Sequence, residues 1–77
     1  MNKQEILKEF GRNLKAERNR AGYSQEGLAE KIGLGFGQHV GKIERGETNT
    51  SLSVIAAILE VLDIDFDKLY DRKKYKN

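Results

Sequence analysis

Apolar residues recur at three- and four-residue spacing through most of the chain, the period of an amphipathic helix, and Gly, Ser and Asp punctuate the breaks. The first stretch predicts a helix over about residues 4–20, with Ile6, Leu7, Phe10 and Leu14 inward. Gly22 follows where a helix end favours a left-handed residue. Ser24 is the expected N-cap of a second, short helix whose inner face is Leu28, Ala29 and Ile32, and Gly33 ends it. A third helix is expected over about 37–45, stopped by Gly46. After the loop 47–50, Ser51 caps a fourth over 52–62, apolar around most of its circumference and therefore expected at the centre of the packing. Asp65 is expected to cap a last short helix through Tyr70, with Phe66 and Leu69 packing back.

With no proline and no alternating β-branched run, this pattern predicts a compact all-α fold of five helices. It is read as one domain over 1–71, followed by a basic, frayed tail over 72–77. The length of 77 residues leaves no room for a second core, and the absence of cysteine excludes disulfides and thiolate metal sites. No apolar run approaches a membrane span and the first residues do not resemble a signal peptide, so the expected location is the cytoplasm. The net charge of +2 is unevenly spread: residues 1–46 carry nine Lys/Arg against six Asp/Glu, 47–71 carry Lys68 against six acids, and 72–77 add four cations. Such asymmetry fits a chain with one surface against phosphate and another facing away, and equally an unevenly charged solvated surface.

Leu28, Ile32, Val40 and Ile43 can share one core across the break at Gly33. A capped short helix, a Gly-marked turn and a second, polar helix make the layout of a helix-turn-helix, whose second helix enters the DNA major groove. On that helix Gly37, Gln38, Gly41, Lys42 and Arg45 are expected outward, with His39 at the edge. Gln38 can pair with adenine N6 and N7, Lys42 can donate to guanine O6 and N7, and Arg45, near the helix end, suits a phosphate. A merely solvated polar face is the alternative. Gly37 and Gly41 lie one turn apart and have two readings: close approach to bases or phosphates, or a weak helix. His39 has no cysteine to share a metal with, which leaves a phosphate or base-edge contact or plain exposure. Phe36 is expected as a core plug closing the turn. Tyr23, Tyr70 and Tyr75 do not interleave with basic residues as a base-stacking platform would.

Ser24-Gln25-Glu26, Leu28-Ala29-Glu30-Lys31-Ile32-Gly33 and Ile43-Glu44-Arg45-Gly46, with Arg18 before them and Asn49, Ser51-Leu52 and Leu62-Asp63-Ile64 after, resemble the lambda-repressor/Cro-like, or XRE-type, helix-turn-helix family. The resemblance covers about residues 10–70, with the motif at about 25–45. It implies a lambda-repressor-like fold and a sequence-specific transcriptional regulator. Gln25 then matches a glutamine that braces the DNA backbone, donating to a phosphate and accepting from the third helix. Arg18 and Glu44 match a pair that orients that helix. Ser24, Thr48 and Asn49 complete the expected DNA-binding set. The chain departs from the pattern in four places. Gly33 to Val40 is seven steps where six are usual, Thr50 stands where proline is usual, Gly27 replaces a helix former, and Glu17 stands where leucine is frequent.

The partners implied are a double-stranded DNA operator of two-fold symmetry and a second copy of the chain, with recognition helices about 34 Å apart. Ile64, Phe66 and Tyr70 are the expected dimer surface. Small members of the family look like phage repressors, plasmid regulators or controllers of restriction–modification operons. A different class of function is an antitoxin-like module whose acidic 47–71 segment covers a basic partner. There is no paired-carboxylate pocket, Ser/His/Asp or Cys/His set, or phosphate loop, so no enzyme activity, cofactor, metal or small-molecule effector is expected.

Overall fold

The computed structural model describes residues 2–73, so the predicted tail is covered only to Lys73 and 74–77 lie outside the described residues. The chain forms α1 (Lys3–Arg20), α2 (Gln25–Ile32), α3 (Gly37–Glu44) and α4 (Leu52–Leu62), then a single 3-10 turn at Phe66–Lys68. No strand occurs among the described residues. Three helices begin where a side-chain oxygen meets an otherwise unpaired amide: Asn2 accepts from Glu5, Ser24 from Gly27 and Ser51 from Val54. α1 ends in a Schellman motif, with Gly22 N–H donating to Asn19 and Tyr23 N–H to Arg18. Gly46 closes α3 in the same way, its φ of 72° placing it where a Cβ is unfavourable.

The all-α prediction holds, but the described residues form four α-helices rather than five. The segment after Asp65 makes one 3-10 turn, Phe66–Lys68, and Asp65 provides no side-chain cap for it. Asn13 on α1 donates its amide to the Leu69 carbonyl at 2.9 Å, and Lys73 N–H turns to the Asp71 carboxylate.

Leu14, Leu28, Val40, Ile43, Ile58 and Leu69 are fully buried in one core. α3 packs against both α1 and α2, which makes it the central element. α4 was expected there and instead lies to the side. It buries Ile58 and Leu62, while Leu52 is 82% exposed. Its sequence is apolar on more faces than the described residues cover. Ile6, expected inward, is also exposed.

Candidate nucleic-acid interface

The turn between α2 and α3 covers residues 33–36 and carries two left-handed glycines, Gly33 (φ 78°) and Gly35 (φ 81°). It delivers Phe36 to the N-cap position of α3, where a phenyl ring can accept no hydrogen bond. Glu26 on α2 supplies the missing acceptor, its carboxylate taking the Gly37 N–H at 3.1 Å. This contact requires Gly37 to lack a side chain: a Cβ there would lie 2.6 Å from Glu26 Oε2 and 2.9 Å from the Glu26 nitrogen. Gly37 is therefore buried against α2 rather than outward, and neither sequence reading of it described that contact.

Gly41 is buried too, where the Gln25 side chain crosses α3. A Cβ at Gly41 would sit 3.4 Å from both Gln25 amide atoms and 3.1 Å from Arg45 Nη1. Val40 and Ile43 anchor the inner face in the core. Next to them, Glu44 accepts from Arg18 Nε at 2.6 Å, from Arg18 Nη2 at 3.2 Å and from Gln25 Nε2 at 3.0 Å. Arg18 also donates to the Tyr23 carbonyl and the Asn19 side chain. The Arg18 and Glu44 side chains are 8% and 3% exposed, so this bidentate pair joins α1 to α3 inside the protein, and the Gln25 amide ties α2 to the same carboxylate. Among the described residues no buried side-chain nitrogen or oxygen lacks a partner. Gln25 donates to α3 rather than accepting from it, which leaves its second amide hydrogen for an outside acceptor.

On the outer face Gln38, His39, Lys42 and Arg45 are all exposed. Phe36, expected in the core, is 70% exposed and lines a shallow depression of about 140 Å³ together with Gln38, His39 and Lys42. Arg45 makes a bidentate pair with Glu47 at 2.9 and 3.2 Å. That hydrogen bonding holds the Glu47 carboxyl below its ordinary range and the Arg45 guanidinium above its own. The hydroxyl of Ser24 is engaged in capping α2.

Thr48 and Asn49 sit beyond α3, at the rim of an apolar groove of about 170 Å³ that also involves Phe10, Phe66 and Tyr70. In it the Phe66 ring lies 6.4 Å from both Phe10 and Tyr70. Ile64 lines a separate depression with Glu17, Arg20, Asp63 and Lys68, so the three expected dimer residues divide between two surfaces. Spacing had not singled out Glu26, Glu47 or Gly11. Gly11 had a signal, a glycine inside an otherwise helix-forming run, and in the structure it is buried where α1 meets α3.

With this geometry in hand, comparison with known proteins is specific. The family model described as Helix-turn-helix matches residues 14–69. A control protein of Serratia marcescens, C.SmaI, is 38% identical over 77 residues, covering 100% of this chain and 87% of that protein. An uncharacterised HTH-type transcriptional regulator of Bacillus subtilis (strain 168), YazB, is 37% identical over 65 residues, covering 84% of this chain and 93% of that protein. Among solved structures, the restriction-modification controller protein C.AhdI of Aeromonas hydrophila superposes with a TM-score of 0.75 at 39% identity, covering 86% of this chain and 97% of that one.

Proposed function

Because the chain belongs to the XRE-type helix-turn-helix family of DNA-binding transcription regulators, we propose that it is a sequence-specific regulator of the restriction–modification controller kind. It binds a two-fold operator as a homodimer, with α3 of each copy in the major groove about 34 Å from the other. One observation carries this reading. α3 is locked on its inner side by Val40, Ile43 and the Arg18–Glu44 pair, while Gln38, Lys42 and Arg45 stand free of the core.

Gln38 and Lys42 then meet base edges, and Arg45 and the second Gln25 amide hydrogen meet phosphates, with Thr48 and Asn49 flanking. Ser24 and Gln25 lead α2 toward the backbone. His39 lies at the edge of the contacted surface. Residues 1–71 form the DNA-binding unit, followed by the basic tail 72–77, and the site of action is the cytoplasm. The exposed Leu52 and Phe66 support a second copy as the cover for α4 and the 3-10 turn. Among the described residues no helix is long and apolar enough to cross a membrane.

The test is binding to a labelled fragment of the protein's own upstream region at 50 and 200 mM salt, with excess competitor DNA. A protein neutralising about 6–10 phosphates loses about 10³–10⁵ in affinity across that range. Gln38→Ala and Lys42→Ala should each weaken specific binding by about 1–3 kcal/mol and leave nonspecific binding nearly unchanged. A shift no stronger than that of competitor would reject the operator reading and point to a protein partner.

A further inference from the structure

The largest aromatic surface at the start of α3 has no structural duty. Phe36 is 70% exposed, so it contributes little to the core. It occupies an N-cap position without capping, since Glu26 on α2 performs that task for Gly37. The turn before it carries two left-handed glycines, Gly33 and Gly35, and around Gly35 a Cβ would meet nothing within 4 Å. The ring shares one depression with Gln38, His39 and Lys42, the side chains that face outward from the first turns of α3. An apolar ring set among donors at this end of the helix needs an apolar partner in an otherwise polar groove. The major groove presents one such group, the C5-methyl of thymine.

We propose that Phe36 is a specificity-determining residue that packs on a thymine methyl beside the base pair contacted by Gln38. This rests on the operator-binding reading above and adds to it the base that this turn selects. Recognition helices touch base edges with their N-terminal residues, and Phe36 directly precedes that segment. Being uncharged, it adds discrimination without adding to the phosphate contacts.

The experiment takes the best-bound duplex selected from a randomised pool and replaces each thymine in turn by deoxyuridine, which pairs identically and lacks the methyl. At one symmetric position the unsubstituted protein should lose about four-fold in affinity per half-site, about sixteen-fold for both, the value of one buried methyl-sized group. Phe36→Ala should bind the thymine and uracil duplexes equally at that position, with an unchanged salt slope. Its thermal unfolding should match the parent, as expected for an exposed side chain. Specific binding in which no thymine is sensitive to methyl removal overturns the inference and leaves the operator reading standing. So does a Phe36→Ala protein that still prefers thymine. If the selection yields no specifically bound duplex, both readings fall together.

Discussion

Gly11→Ala tests how α3 is held. On helix propensity alone it should stabilise α1 by about 0.8–1.0 kcal/mol, since alanine is the better residue in a helix interior. The structure predicts the opposite. A Cβ on Gly11 would fall on the carbonyl oxygens of Ile43 and Glu44 and lie 2.7 Å from the Glu44 carbonyl carbon, where ordinary contact begins at 3.4 Å. All three atoms are backbone, so no side chain can swing away, and the C-terminal turn of α3 must withdraw by most of an ångström. Forcing extra volume into a packed contact costs about 1–3 kcal/mol, and rigid backbone on the far side places this case at the upper end. The net loss is about 2 kcal/mol, which lowers Tm by about 8–16 °C in a domain of this size. Thermal unfolding followed by circular dichroism reads this directly. Gly27→Ala is the matched control, because its Cβ would meet only the Ser24 hydroxyl, at 3.1 Å, and the Tyr23 ring, at 3.8 Å. It should melt within a few degrees of the parent. A Gly11→Ala protein melting at or above the parent would refute the close α1–α3 crossing.

Two further perturbations follow from the ion pairs. Arg18→Met leaves the Glu44 carboxylate buried without its cation and should cost about 3–5 kcal/mol in urea unfolding, while Arg18→Met combined with Glu44→Leu should recover most of that loss. A double variant no more stable than the single would contradict the burial of the pair. Glu47→Gln releases Arg45 from its bidentate partner, so DNA affinity should rise and the salt slope should steepen by about 0.9 for one more phosphate contact. An unchanged slope would exclude Arg45 from the phosphate contacts. The same pair predicts a pH effect. Because the Glu47 carboxyl is depressed, the pair persists above the ordinary glutamate value and is lost only as pH falls through the lowered one. A carbon-detected NMR titration should place Glu47 below 4.5, and Arg45→Ala should return it to the ordinary range. Both groups are more than half exposed, so the bearing on global stability is small.

What is local in the chain was readable from the sequence. Ser24 and Ser51 cap the helices they were expected to cap, α2 and α4, and Gly22, Gly33 and Gly46 take the left-handed conformations that end α1, α2 and α3. Leu14, Leu28, Val40 and Ile43 meet in the core because helical spacing is enough to mark an inner face. The errors arise where a distant partner decides. The last segment makes one 3-10 turn instead of a helix, and Asn13, 56 residues earlier, ties it to α1 through the Leu69 carbonyl. α4 looked central because it is apolar, yet apolarity does not say which element will cover a face, and nothing among the described residues covers Leu52.

The same division explains the candidate site. Arg18 and Glu44 were paired by the family resemblance, not by spacing, since residues 26 apart carry no local signal. Gly37 and Gly41 were placed outward by helical periodicity, but the decisive atoms belong to Glu26 and Gln25 on another helix. Phe36 was assigned to the core because it is large and apolar, and the carboxylate that relieves it of capping is ten residues away in sequence. Together these contacts separate two tasks on one short helix. Glycines at its crossings let backbone approach backbone, and Val40, Ile43 and Glu44 hold its inner side. Phe36, Gln38, His39 and Lys42 then carry little of the fold, so substituting them should shift unfolding by no more than about 0.5 kcal/mol each. Binding preference can thus change at these positions while the scaffold stays fixed. A Gln38→Ala or Lys42→Ala protein that lost DNA and also melted far below the parent would show that the outer face supports the fold after all.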